Sequence, residues 1–216
     1  MKISVSIMAH PDRRESAERL SAEVGLAPIA FDGEGPPSRD PDRIWRTARA
    51  AWMLHDPDAD WHLLLQDDAI VATHLLEVLP RALRCVPRPS VVSLYLGSGR
   101  PLAGRWSAVV DEANSVGASW IVGPRPIWGV GLLLPTPLIP DMVRYCDTQR
   151  GATDDMRVGR WAQRSKLETR YPWPCLADHV DGSSLVGHGD GRVARSFQAD
   201  ARASAWDGPV VQWKRA

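Results

Sequence analysis

Two adjacent carboxylates, Asp67 and Asp68, close the run Trp61-His-Leu-Leu-Leu-Gln-Asp-Asp-Ala69. Ionised carboxylates set directly behind an apolar run need a partner: solvent, a basic side chain or a divalent cation. The same residue types also enter turns and cap helices, so the pair alone leaves a turn and a metal site both open. A second acidic pair, Asp154 and Asp155, follows Thr153 at the head of a helical pattern. There the helix dipole favours negative charge whatever the function, and a carboxylate so placed can also take a proton as a general base. Two imidazoles, His179 and His188, stand in a loop-like stretch from Trp173 onward, either able to swing to the carboxylate tip.

These groups need elements to position them. Residues 2–9 read as a first strand, and Glu15 to Val24 puts Ala17, Leu20 and Val24 on one helical face closed by Gly25. Pro28 to Phe31 reads as a second strand leading into Asp32-Gly33. Ile44, Ala48, Ala51, Trp52 and His55 then mark a second helix, and Trp61 to Gln66 is a third strand buried on both faces. Strand, helix, strand, helix, strand builds a parallel sheet, which brings the loops at His10 to Arg14, at Asp32 to Gly35 and at Asp67-Asp68 to one edge. Beyond it, Ser90 to Leu96, Ser119 to Val122 and Pro126 to Leu134 are strand-like. The glycines of Trp128-Gly129-Val130-Gly131 mark a bulge or a place where a ligand nears the backbone. Pro137 to Tyr145 and Thr153 to Gln163 read as helices, the latter with Val158, Trp161 and Ala162 inward.

Composition removes several function classes. Acidic and basic residues balance at 26 each, so no bulk charge calls for nucleic acid or a membrane surface. The apolar run Ile127 to Pro140 is broken by Pro135 and Pro137, and residues 1–9 are too short for a signal peptide. Three cysteines without a Cys-x-x-Cys pair argue against a disulfide framework or a zinc ribbon, and a reducing cytoplasm is expected. Among ten tryptophans, Trp120, Trp128, Trp173 and Trp206 neighbour polar or glycine residues and are candidate stacking platforms, although core filling is the commoner role. One domain over 1–216 is expected: a nucleotide-binding half at 1–70, an acceptor-side half at 90–195 and a C-terminal extension at 196–216.

In order, Asp67-Asp68 after a buried strand, Trp128-Gly-Val-Gly131, Thr153-Asp154-Asp155 and His188 in Ser184-Leu-Val-Gly-His resemble the GT-A glycosyltransferases. The Gln-Asp-Asp-Ala form is similar to the Glu-Asp-Asp variant of the lipopolysaccharide and collagen galactosyltransferase (family 25-like) group. The resemblance implies a mostly parallel Rossmann-like sheet flanked by helices with a mixed acceptor-side half, and a hexosyl transfer from a nucleoside-diphosphate sugar to an acceptor hydroxyl. It implies Mn²⁺ or Mg²⁺ on Asp67, Asp68 and His188, whose flanking glycines let the backbone approach a diphosphate. It implies Asp155 more than Asp154 as base, Asp32 on the nucleotide's base or ribose, Trp128, Gly129 and Gly131 toward the acceptor, and His10 with Arg13 or Arg14 at the phosphates. Asp32-Gly33 is equally an Asx-turn. Arg192 and Arg195 follow His188 and can neutralise phosphate oxygens. The acceptor class stays open among glycan, protein, small molecule and modified nucleobase.

His10-Pro-Asp-Arg-Arg14 carries an alternative. It resembles the Ala-His-Pro-Asp-Asp opening of zinc-dependent N-acetylsugar deacetylases, but Arg13 replaces the second Asp and no His-x-x-His follows. A non-catalytic nucleotide- or sugar-binding module is the third reading.

Overall fold

Alternation explains how the first strands are buried on both faces. In β1 (Ile3–Ala9) Val5, Ile7 and Ala9 enter one core while Met8 packs into the other. In β3 (Trp61–Gln66) Trp61, Leu63 and Leu65 join the first and Leu64 the second. β1 pairs in parallel with both β3 and β2 (Ile29–Phe31), so the three loops that follow these strands do open on one edge, as the sequence predicts. The structure, a computed structural model, describes residues 1–33, 35–87, 89–98, 107–180 and 193–213.

The other strands are β4 (Ala69–Val71), β5 (Ser90–Ser93), β6 (Trp120–Gly123), β7 (Gly131–Pro135), β8 (Glu168–Pro172), β9 (Ala177–His179) and β10 (Val210–Gln212). Among the described residues, eight of these ten strands form one sheet in the order β10-β6-β8-β5-β7-β3-β1-β2, and β4 pairs with β9 in a second, small sheet. β7 runs antiparallel to β3 and β5, and β6 antiparallel to β8. The remaining pairings of the large sheet are parallel. The fold is α/β with a mixed second half, as expected.

Helices cover both faces. α1 (Arg14–Glu23), α3 (Leu75–Ala82) and α4 (Ser107–Val116) bury Ala17, Leu20, Leu79 and Val109 on one side. α2 (Pro41–Trp52), α5 (Ile139–Cys146) and α6 (Asp154–Arg164) bury Trp45, Ala48, Trp52, Met142 and Trp161 on the other. Burying one such large apolar side chain contributes ~1.5–3 kcal/mol. Helix boundaries follow local chemistry: the Asp40 carboxylate caps α2 by accepting from Asp42 N at 2.9 Å, with Pro41 behind it. Gly25, at φ +83°, provides the left-handed turn that ends α1.

Four expectations are corrected. The buried face of α2 is led by Trp45 rather than Ile44, which is half-buried, and His55 lies beyond the helix. Within the 126–134 stretch only residues 131–134 are strand, part of β7, and residues 126–130 have no regular structure although Val130 O still accepts from Gln66 N at 3.1 Å. The region after Trp173 is not all loop: it contains β9, which carries His179. Trp120, Trp128, Trp173 and Trp206 are all buried in the core and are not exposed platforms. Among the described residues no helix is long and apolar enough to cross a membrane.

Candidate functional site

The site begins where β3 ends. Leu65 is the last fully buried residue of that strand, and Gln66, Asp67 and Asp68 leave the core at its carboxyl tip. Asp67 Oδ2 accepts from the backbone N of His10 at 2.8 Å, and its carbonyl accepts from Ser16 Oγ at 2.8 Å. The first carboxylate is therefore fixed by the loop after β1. Arg13, in the short 3-10 turn Pro11–Arg13, donates Nη1 to Asp67 Oδ1 at 3.2 Å and also to Asp68 Oδ2.

The small sheet delivers the third group. Ala69 of β4 registers with His179 of β9, and Val180 N donates to Asp68 O at 3.0 Å. His179 Nε2 consequently lies 3.1 Å from Asp68 Oδ2. Both side chains are nearly buried, at 15% and 13% exposure for Asp68 and His179. Two polar atoms remain without a hydrogen-bond partner, Asp68 Oδ1 and His179 Nδ1. Beyond His179, Tyr95 stands with its ring centroid 6.5 Å away, and Trp128 packs edge-on against Tyr95 at 5.7 Å.

Electrostatics separate the two carboxylates. Burial and the neighbouring Asp68 charge raise the Asp67 carboxyl, against the His10 amide and Arg13 that favour its charge. Burial also opposes the charge on Asp68, but His179 and Arg13 outweigh it and hold that carboxyl below its ordinary range. Reciprocally, the hydrogen bond to Asp68 raises His179 despite its burial.

A second carboxyl lies on the other side of the strand tip. Asp154 opens α6, is buried, and is hydrogen-bonded by the Gln66 side chain. Burial, with the adjacent Asp155 charge, pushes it up to about 7. Gly129 passes so close that a Cβ there would lie 2.9 Å from both Asp154 Oδ2 and Gln66 Nε2. The segment leading into Asp154 is held from beneath by the buried Arg157, which donates to the Ala152 carbonyl at 2.7 Å and the Cys146 carbonyl at 3.1 Å and pairs with Asp42 of α2. Asp155 is engaged locally, by Thr153 Oγ1 and by Met156 N at 2.7 Å. Thr153 occupies the cap position but spends its hydroxyl on Asp155 instead of a backbone amide.

Other residues singled out from sequence are distributed as follows. Asp32 pairs with Arg43 Nε at 2.8 Å, while Arg43 also holds the Gly35 and Pro36 carbonyls, so this acid braces the loop after β2. Both ring nitrogens of His10 are occupied, Nδ1 by Asp12 N at 3.2 Å and Nε2 by the Gly35 carbonyl at 3.0 Å. That arrangement does not suit a zinc ligand. Arg13, expected at a phosphate, lies on the carboxylates instead. Gly131 sits in β7 opposite Leu65, its missing Cβ giving way to Leu65 and Leu94 in the core. His188 and Arg192 lie outside the described residues. Gln66 and Tyr95 are additions. Gln66 was legible as the residue preceding the acidic pair, whereas Tyr95 had no sequence signal.

Among the described residues no group of three or more His, Cys, Asp or Glu side chains is arranged to hold a metal ion. Asp68 and His179 offer two donors, one of them a buried oxygen without a hydrogen-bond partner. That small protein contribution fits a hard divalent cation that takes its remaining ligands from water and substrate phosphates.

No known family and no curated protein matches the sequence. Solved structures similar in outline include a Drosophila β1,4-galactosyltransferase 7 in complex with manganese, UDP-Gal and xylobiose, at 11% identity and a TM-score of 0.39 over 93% of this chain and 74% of that one. Another is mouse xyloside xylosyltransferase 1 in its apo form, at 12% identity and a TM-score of 0.35 over 76% and 69%. Identities and scores this low fix neither family nor substrate.

Proposed function

We propose that the protein is a GT-A-type glycosyltransferase that uses a divalent metal to move a sugar from a nucleoside-diphosphate sugar to an acceptor hydroxyl. One observation carries this reading: Asp68 and His179 stand together at the β3 tip, and a buried carboxyl near neutrality, Asp154, is linked to the same tip through Gln66. Cation-binding and proton-accepting groups on adjoining sides of one strand end are what such a transfer uses when it inverts configuration at the sugar. Mn²⁺ or Mg²⁺, when bound, neutralises charge collecting on the diphosphate leaving group.

Asp68 and His179 would hold that cation, with His188 a further candidate outside the described residues. Asp67, clamped by the His10 amide, orients the tip. Asp154 is the base of choice over Asp155, because it is buried beside the β3 tip while an Asp155 oxygen is already engaged by Thr153 and Met156. Burial and the Asp155 charge raise Asp154 well above the usual carboxylate range, which makes its carboxylate a better acceptor of a hydroxyl proton as the bond to the sugar forms. Gln66 steadies the carboxylate, and the absence of a side chain at Gly129 leaves room for both groups. Trp128 and Tyr95 form an apolar wall on the His179 side. Membership of the family 25-like group, the single domain with two functional halves and a cytoplasmic setting belong to the same proposal.

The test is thermal unfolding of the wild type and Asp68→Asn with a panel of nucleoside diphosphates and their sugar conjugates, with and without Mn²⁺. The wild type should melt higher with one nucleotide class only when Mn²⁺ is present, by several degrees at saturating ligand, and Asp68→Asn should lose that shift while keeping its metal-free midpoint within a few degrees. A shift with Zn²⁺ alone and none with any nucleotide would replace the transferase by the hydrolase reading.

A further inference from the structure

The carboxylate pair already has a cation. Nη1 of Arg13 lies within ion-pair distance of both Asp67 Oδ1 and Asp68 Oδ2, and its side chain is only 20% exposed. The turn that carries it is tied to the same acids, since Arg13 N donates to the His10 carbonyl at 2.9 Å while His10 N donates to Asp67. Arg13 and the pair therefore form one preassembled unit. His179 approaches Asp68 Oδ2, the same oxygen that Arg13 uses, and Oδ1 is left without a donor.

We propose that Arg13 is a built-in counter-ion for Asp67 and Asp68, covering the carboxylate face that a divalent cation takes and yielding it when that cation binds. The inference rests on the metal reading of the site and deepens it. A guanidinium on Asp68 Oδ2 and a divalent ion on the neighbouring Oδ1 would stand close enough for strong like-charge repulsion in a partly buried setting. Two adjacent buried carboxylates without any cation would in turn destabilise the metal-free protein. Arg13 resolves both demands: it keeps the empty site folded and lowers the affinity for free metal.

The experiment titrates Mn²⁺ alone into the full chain and follows loss of the free-ion EPR signal for the wild type, Arg13→Gln, Arg13→Lys and Asp68→Asn, with unfolding midpoints in parallel. Arg13→Gln should bind Mn²⁺ about tenfold more tightly than the wild type, the order of effect expected from removing one charge-assisted hydrogen bond. It should also melt lower than the wild type without Mn²⁺ and recover most of that loss with it. Arg13→Lys keeps the charge and should stay within about threefold of the wild type, and Asp68→Asn should bind far more weakly. If Arg13→Gln binds no more tightly while Asp68→Asn still loses the ion, the metal site stands and Arg13 is not its competitor. A tenfold gain in Arg13→Lys would likewise overturn the proposal, since charge would not be what competes. Absence of Mn²⁺ binding in every form would remove the metal reading and this proposal with it.

Discussion

One strand carries two polar islands, and they are finished differently. Midway along β3, His62 is fully buried, with Nδ1 2.8 Å from Ser4 Oγ and Nε2 2.9 Å from Ser6 Oγ. Ser6 Oγ donates to the Ala51 carbonyl at 2.9 Å, so it accepts from Nε2–H, and Nδ1 is left to accept from Ser4. The imidazole is neutral and both its nitrogens are satisfied. At the tip of the same strand, Asp68 and His179 are also nearly buried, yet each keeps a polar atom without a hydrogen-bond partner. A buried polar group that serves only the fold is closed by its neighbours, whereas one kept for a ligand retains capacity. His62 is thus the structural histidine of this strand.

Asp154→Asn presses hardest on that contrast. If Asp154 is the base, its loss should lower the transfer rate by about 10²–10⁴-fold while sparing donor binding, measured as single-turnover transfer beside donor-induced melting shifts. In the wild type the same rate should rise with pH through about 7, as the carboxyl ionises. Stability should move the other way. The folded-state pKa lies above the unfolded value, so the folded chain holds the proton more tightly and the wild type loses stability as pH climbs from about 4 to above 7. The Asn variant, lacking a buried charge to form, should be the more stable protein at pH 8, by a few kcal/mol at most at about 1.4 kcal/mol per pKa unit. An Asn variant that is inactive and also less stable at pH 8 would mark Asp154 as a structural acid, erasing the distinction between tip and interior.

His62 should show the opposite signature. Burial, with the nearby His55 charge, pushes its pKa down to about 4 from 6.5, so the unfolded chain binds the proton better. Its contribution to stability is intact above about 6.5 and is lost progressively as pH falls toward 4. Replacing it by glutamine should cost about 1–3 kcal/mol at pH 7 through lost packing and imperfect hydrogen bonds. The variant's stability should then fall less steeply than the wild type's below pH 6.5, with transfer activity at pH 7.5 unchanged. Chemical unfolding across that range checks the slopes. A variant with an intact fold but no transfer would place His62 in the chemistry and refute the comparison.

These two islands also explain what the sequence revealed. The first five elements were legible because Leu63, Leu64 and Leu65 can only be buried on both faces of a sheet, and Ala17, Leu20 and Val24 repeat at helical spacing. Asp67 and Asp68 stood out because charge follows directly on that run. Elements α4, β8 and β10 are not legible, since their apolar residues pack against sequence-distant partners and leave little local period, whereas α3 repeats Leu75, Val78, Leu79 and Ala82 at helical spacing but carries Pro80 inside it, a residue that argues against a helix. The choice between His179 and His188 could not be made from spacing: it is the pairing of Ala69 with His179, between two strands of three residues each, that seats an imidazole beside Asp68. Arg13 or Arg14 is expected at a phosphate because the sequence displays a basic loop but not the tertiary approach that turns Arg13 onto the acids. Trp120, Trp173 and Trp206 looked like platforms for the same reason, their polar sequence neighbours hiding a buried position.

Gly129 offers the mildest test, and the most local. Its backbone runs close to the Asp154 carboxylate and the Gln66 amide, and a methyl group there would stand 2.9 Å from each. Both atoms are ends of side chains that can rotate away, so Gly129→Ala should cost only ~1 kcal/mol of stability. Rotation, however, parts Gln66 from Asp154 and turns the carboxylate from the β3 tip. Transfer should fall about tenfold or more, a loss in kcat with little change in donor KM, because positioning rather than binding is disturbed. Gly131→Ala supplies the control: its added methyl meets Leu65 and Leu94 inside the core, so it should reduce stability and leave kcat unchanged at temperatures where the variant is folded. If instead the two substitutions lower kcat alike, two residues apart, the glycine pair acts as one loop. The boundary between site and core would then lie deeper in β7 than the position of Asp154 implies.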